Sequence, residues 1–194
     1  MSAIRRVFAA LVLLTLPVGC VDRPEPHIYV LGSGEGAAIG EQTDRGRTII
    51  ELKPVLIPDH MDTTDFLLRS GRNELSPSST ALWGERLSIG ITSALASALA
   101  ERLPSARIVA RPSATHPARK IFVDITALDL RRGGLCTLRA HWTISAPGEL
   151  SERIAPAGAE VTVMASADGL SDEAVVVALT NTISQIADRI AADL

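Results

Sequence analysis

Cysteine is scarce: the 194-residue chain carries two, Cys20 and Cys136, too few for the disulfide framework that braces small secreted domains. Aromatic residues make up only 3%, which leaves no stacking platform for single-stranded nucleic acid. Neither sign of charge dominates. Nineteen Lys and Arg against 22 Asp and Glu give a formal net charge of −3, so the basic face of a nucleic-acid binder is missing. No stretch reaches the ~18 apolar residues of a transmembrane helix. There is also no G-x-S-x-G, H-E-x-x-H or Walker-type loop. What is present is a 46% hydrophobic, 21% charged composition, enough to bury a core, at a length that suits one domain.

The amino terminus reads as an address. Arg5 and Arg6 precede the apolar run Val7 to Leu16, which is too short to span a bilayer, and Gly19-Cys20 follows directly; that is the order of a secretory signal peptide. Leu16-Pro17-Val18-Gly19-Cys20 resembles the bacterial lipobox, in which the cysteine thiol is diacylated before cleavage and so becomes a membrane anchor. The expected layout is a signal peptide over residues 1–19, a lipidated tether over 20–26 and a domain over 27–194. Cleavage removes Arg5 and Arg6, so 17 basic residues remain against 22 acidic ones, a balance of −5. Val21 follows the cysteine where Asp would retain a lipoprotein at the inner membrane, so the outer membrane is the expected location, with the domain facing the periplasm. Cys136 is then a lone thiol, expected in the core.

Along the mature chain, His27 to Leu31 reads as a short strand, Gly32 to Arg47 as a glycine-rich loop and Thr48 to Ile57 as a strand ending near Pro54. Pro58 to Thr64 suits a turn and Asp65 to Arg69 an extended piece. Ser76-Pro77-Ser78-Ser79 has helix-start chemistry, predicting a helix that runs to about Leu103 with Leu87, Ile91, Leu95 and Leu99 on one face and Trp83 extending the row. Arg107 to Ala110 suits a short strand. Lys120 to Leu130 and the alternating run through Leu138, Ala140, Trp142 and Ile144 form a hairpin about Gly133-Gly134. Pro147 to Gly158 reads as a loop and Glu160 to Ser166 as a strand. Ser171 caps a final helix whose core face is Val175, Leu179, Ile183, Ile186 and Ile190. The expected architecture is α+β: a single two-layer domain, a mixed, mostly antiparallel sheet with two amphipathic helices on one face.

Two constellations invite chemistry. Gly32-Ser33-Gly34-Glu35-Gly36-Ala37, with Glu51 beyond it, matches the dinucleotide pattern G-x-G-x-x-A, but the segment after it lacks the helix that such a site needs. Asp59, His60, Asp62 and Asp65 carry possible metal ligands, although Pro58-Asp59 equally has turn chemistry. His27, His116 and His141 are scattered. No nucleophile, base and acid set is visible, so no enzyme, catalytic residue, cofactor or metal is expected.

A lipobox at Cys20, Tyr29-Val30-Leu31 close behind it, Val55-x-x-Pro58 leading to Met61-Asp62, then Arg69, Asn73-Glu74-Leu75 and Trp83-Gly84-Glu85 before a long helix follow one another in a familiar order. With the hairpin ending at Trp142, the chain resembles the ABC-type transport auxiliary lipoproteins of the PqiC kind, departing from them at His60 and Arg86. The resemblance implies a non-enzymatic outer-membrane lipoprotein of an MCE-type system moving lipids or other hydrophobic molecules across the periplasm. Its implied partners are an MCE-domain periplasmic protein and an inner-membrane permease. A homo-oligomer fits such a symmetric partner by analogy. Arg69, Asn73, Glu74 and Trp83 are candidates for either a partner surface or a structural corner. The alternative function is a stand-alone ligand-binding or envelope-structural lipoprotein facing the periplasm.

Overall fold

The structure is a computed structural model that describes residues 25–32, 47–110, 116–146, 161–167 and 169–194. The signal peptide, Cys20, the glycine run from Ser33 onward and the Pro147 to Gly158 loop lie outside the described residues. In chain order the elements are β1 (His27–Tyr29), β2 (Thr48–Leu52), a 3-10 turn (Asp59–Met61), β3 (Asp65–Gly71), β4 (Glu74–Trp83), α1 (Leu87–Arg102), β5 (Ala106–Val109), β6 (Arg119–Arg131), β7 (Leu135–Ser145), β8 (Val161–Ser166) and α2 (Asp172–Ala192).

The alternation from Lys120 onward becomes the antiparallel β6/β7 hairpin, in register from Lys120 opposite Ser145 to Arg131 opposite Leu135. Gly133 and Gly134 turn it with φ of +87° and +69°, backbone angles that side chains other than glycine resist. A bulge between Ile125 and Ala127 shifts the pleat by one residue. Ile121, Val123 and Ile125 face the core before it and Leu128 and Leu130 after it, so Ala127 leaves the row expected for it. Around this hairpin a five-stranded sheet forms in the order β5-β2-β6-β7-β8. β2 runs parallel to both of its neighbours.

The other three strands make a second sheet, β1-β4-β3, with β1 parallel and β3 antiparallel to β4. Two sheets thus replace the single one expected, within the same α+β domain. The β3/β4 pairing is broken by register shifts that twist it out of line, and β3 meets β6 through side chains rather than a ladder. The small sheet also corrects the expected helix start. Residues 74–83 are strand, and α1 begins only at Leu87. Ser78, expected at the helix start, instead holds a distant carboxylate together with Thr80, the two hydroxyls donating to Asp172 Oδ2 at 3.0 and 2.6 Å.

Both helices bury the rows read from their sequences: Leu87, Ile91, Leu95 and Leu99 on α1, and Val175, Leu179, Ile183, Ile186 and Ile190 on α2. Ser171 Oγ accepts from the Ala174 N–H at 3.2 Å, capping α2 as expected. The helices pack on each other, α1 against β5 and α2 against β7 and β8. One contiguous apolar cluster joins both sheets and both helices. Arg102 clamps the helix pair, its Nε donating to Asp188 Oδ1 at 2.5 Å and a second guanidinium nitrogen to Ser184 Oγ at 2.6 Å.

Candidate functional site

The densest part of the resemblance, Pro58 to Leu103, runs from the 3-10 turn through β3 and β4 into α1. Arg86 occupies the N-cap and offers no side-chain cap bond. The cap comes from the 3-10 turn before β3. Asp62 Oδ1 accepts from the Ser88 N–H at 3.1 Å, the Thr63 carbonyl accepts from the Leu87 N–H at 3.3 Å, and the Arg86 guanidinium also binds Asp62. Burial works to raise the Asp62 carboxyl, but the Ser88 hydroxyl and amide and the Arg86 cation outweigh it and hold the group below its ordinary 3.8. Met61 beside it is buried, so Met61-Asp62 acts as a plug and a cap.

The proposed metal ligands do not come together. Asp62 is committed to α1, Asp65 Oδ2 accepts from the Thr63 hydroxyl at 3.3 Å, and Asp59 and His60 are exposed on the turn. Among the described residues no three His, Cys, Asp or Glu side chains converge. Of the dinucleotide pattern's glycine run only Gly32 is described, and Glu51 is buried in β2 with its carboxylate accepting from Lys53 Nζ at 2.6 Å. Gly32 is the point where the chain touches α1: at φ +73°, a Cβ there would lie 2.8 Å from the Ala94 nitrogen. Leu31 is buried with its side chain against Gly90, so the small residues of α1 form a seat for the chain following β1.

Of the four candidate residues, three gather at one end of the small sheet. Arg69 pairs with Leu75 and Gly71 with Glu74, closing the two-residue turn Arg72-Asn73. Asn73 and Glu74 are exposed at that tip. Arg69 turns inward, and its Nε donates to Asp129 Oδ1 on β6 at 2.7 Å, riveting the two sheets. Arg131 holds the other oxygen of Asp129 at 2.9 Å. Burial alone would raise this carboxyl, yet hydrogen bonds from Arg69 and Arg131 and their charges hold it below 3.8.

Trp83 lies at the far end of β4, buried, its ring stacked on Phe66 with centroids 4.5 Å apart, and Tyr29 closes the cluster at 5.8 Å from Phe66. The Trp83 Nε1 donor is buried without a hydrogen-bond partner. Trp142 differs, donating from Nε1 to Asp193 Oδ2 at 2.9 Å.

Other groups with chemical potential are engaged or muted. Cys136 is buried, as expected, and burial pushes its thiol up to about 11, far from a nucleophilic thiolate. His141 faces Asp124 at 3.5 Å on the outward side of the large sheet. The Tyr29 phenol is raised by burial and by the charges of Asp172 and Glu173. Sequence reasoning missed Asp62 as a cap, Asp172 as the acceptor for β4, and Thr92, whose hydroxyl accepts from the Val55 N–H at 3.0 Å and donates to the Ser88 carbonyl at 2.7 Å. The short acidic and hydroxyl side chains were visible. Their partners, tens of residues away, were not.

The strands, turn and helix that hold these motifs coincide with one protein family. The model of the ABC-type transport auxiliary lipoprotein component family matches residues 29–191. The chain belongs to that family. As an ABC-type transport auxiliary lipoprotein component, it also shares its fold with solved structures. One is a protein solved as an uncharacterized protein, 14% identical with a TM-score of 0.64, covering 87% of this chain and 98% of that one. Another is XCC0632 from Xanthomonas campestris, described as DUF330, 14% identical with a TM-score of 0.58 over 86% of this chain and 90% of that one. A search of the curated proteins gives no match. Among the described residues of this auxiliary component, no helix is long and apolar enough to cross a membrane.

Proposed function

We propose that this auxiliary component is an outer-membrane lipoprotein, acylated at Cys20, that serves an MCE-type ABC transport system moving lipids or other hydrophobic molecules across the periplasm. The observation that carries the reading is the family match over residues 29–191, beginning nine residues after a lipobox cysteine. Val21 after that cysteine supports outer-membrane sorting. The domain acts without chemistry of its own, by docking an MCE-domain protein whose inner-membrane permease supplies the drive. Arg69 and Trp83 are committed to packing, so recognition through the four-residue motif falls to Asn73 and Glu74 at the exposed tip.

Mild crosslinking in cells that express both proteins should recover the MCE-domain partner with this chain. Recovery of no MCE-domain protein under conditions that capture other envelope complexes would sink the reading. Cys20→Ser should release the chain from membranes, and unchanged membrane partition would remove the anchor.

A further inference from the structure

The segment at β1 carries aliphatic side chains where the outer face of β7 is polar. On β7 the positions facing away from the core, Thr137, Arg139, His141 and Thr143, are all polar, as a strand with one wet face requires. On β1 the core side is Tyr29, against Phe66, whereas Ile28 on the strand and Val30 just after it are aliphatic and 69% and 48% exposed. They meet over Gly84, where a Cβ would lie 2.8 Å from Val30 Cγ2 and 3.2 Å from Ile28 Cγ2. Glycine just after β4 leaves room for both side chains to lie over that point.

The position of this corner in the chain indicates what covers it. Ile28 is eight residues beyond Cys20, a span that cannot exceed about 29 Å even fully extended. β1 itself cannot drift. It is paired to Ala81, Leu82 and Trp83, the Gly84 N–H donates to the Tyr29 carbonyl at 2.7 Å, and Gly32 is pressed onto α1.

We infer that the Ile28/Val30 corner is a membrane seat, an apolar strand edge resting in the headgroup layer of the bilayer that holds Cys20. The inference rests on the reading of Cys20 as a lipid anchor. Acyl chains hold the protein at the surface, and the seat gives it one orientation, since a second weak contact costs little once the first has concentrated the domain there. The mature chain is mildly acidic overall, so the contact relies on apolar burial rather than on charge and is insensitive to salt. β1 pairs with the carboxyl end of β4, and the Arg72-Asn73 turn lies at its amino end. The seat therefore holds the hairpin tip away from the lipid, facing the periplasm.

The test uses the full acylated chain in vesicles of phosphatidylethanolamine and phosphatidylglycerol, with an environment-sensitive dye on Ile28→Cys or, as a control, on Asn73→Cys. The native Cys136 thiol is buried with its pKa raised to about 11, so only the introduced thiol reacts. Emission from position 28 should shift to the blue and be lost to quencher-bearing lipids, while position 73 stays water-like. Adding Val30→Ser should restore much of the lost emission without changing vesicle flotation. Equal quenching at positions 28 and 73 would overturn the seat, as would a blue shift at 28 that appears without vesicles and grows with protein concentration, the mark of a second copy. Flotation separates the two ideas. If the unsubstituted chain does not float, the anchor fails; if it floats and position 28 stays unquenched, only the seat fails.

Discussion

Among the described residues, the β3/β4 and β6/β7 hairpins each place a tryptophan in the core, and they are held in different ways. The β6/β7 hairpin is in register over nearly its whole length. Its tryptophan has both a packed ring and a satisfied N–H, through Asp193. The β3/β4 hairpin pairs over a broken ladder and depends on carboxylates from elsewhere. Asp129 of β6 grips Arg69, Asp172 of α2 receives Ser78 and Thr80, and Asp62 just before the hairpin caps the helix that follows it. One hairpin is specified by its own alternation, the other by its surroundings. The transport-family motifs sit on the second kind, where a small change is felt across several elements.

The largest expected effect tests whether both tryptophans are equal as packing. Trp142→Ala and Trp83→Ala should each lower stability by about 3–5 kcal/mol in denaturant titrations. The Phe variants sharpen the contrast. Trp142→Phe also leaves Asp193 without its donor, at a cost of about 1 kcal/mol, whereas Trp83→Phe removes an N–H that bonds nothing. Equal losses in the two Phe variants would break the distinction. Next in size, Gly32→Ala should cost about 1–3 kcal/mol, because it forces a side chain both into a left-handed backbone and against the Ala94 nitrogen. A neutral result would mean that the small sheet does not need the Leu31-Gly32 clasp.

Asp62→Ala should cost about 0.5–2 kcal/mol, the usual loss for a missing cap, and should speed hydrogen exchange at Ser88 while leaving the Ala174 amide, capped by Ser171, protected. The smallest effect concerns the rivet between the sheets. Asp129 has a folded-state pKa below its ordinary 3.8, so its contribution is complete above that value and is lost as pH falls through the lower, folded one. Arg69→Met should cost about 1 kcal/mol at neutral pH and flatten the acid limb of a stability-pH profile. An unchanged acid limb would show that the two sheets do not depend on this pair.

The same contrast governs how much was legible in the residues. The β6/β7 hairpin, both helix faces and the Ser171 cap were readable, because period and capping are local and each has one buried side. The β4 strand was not. Its Ser-Pro-Ser-Ser run carries the same hydroxyls as a helix cap, and only the position of Asp172, 92 residues beyond Thr80, turns them toward a carboxylate instead. The Asp62 cap was hidden for the same reason. Its neighbours Asp59 and His60 suggested a ligand cluster, while its actual partner, the Ser88 amide, lies across a hairpin. The candidate motif was half legible: its order marked the family, but the division into inward Arg69 and Trp83 and outward Asn73 and Glu74 required the fold.

The parallel pairings carry a consequence for how the chain is made. β1 completes its sheet with Ala81 to Trp83, and β2 lies between Ala106 to Val109 and Arg119 to Ile121. Both strands near the amino end therefore emerge from the ribosome well before any strand they can pair with, while the two hairpins can close as soon as they appear. β1 and β2 can join their sheets only after those later strands are available, so the non-local pairings follow the local hairpins.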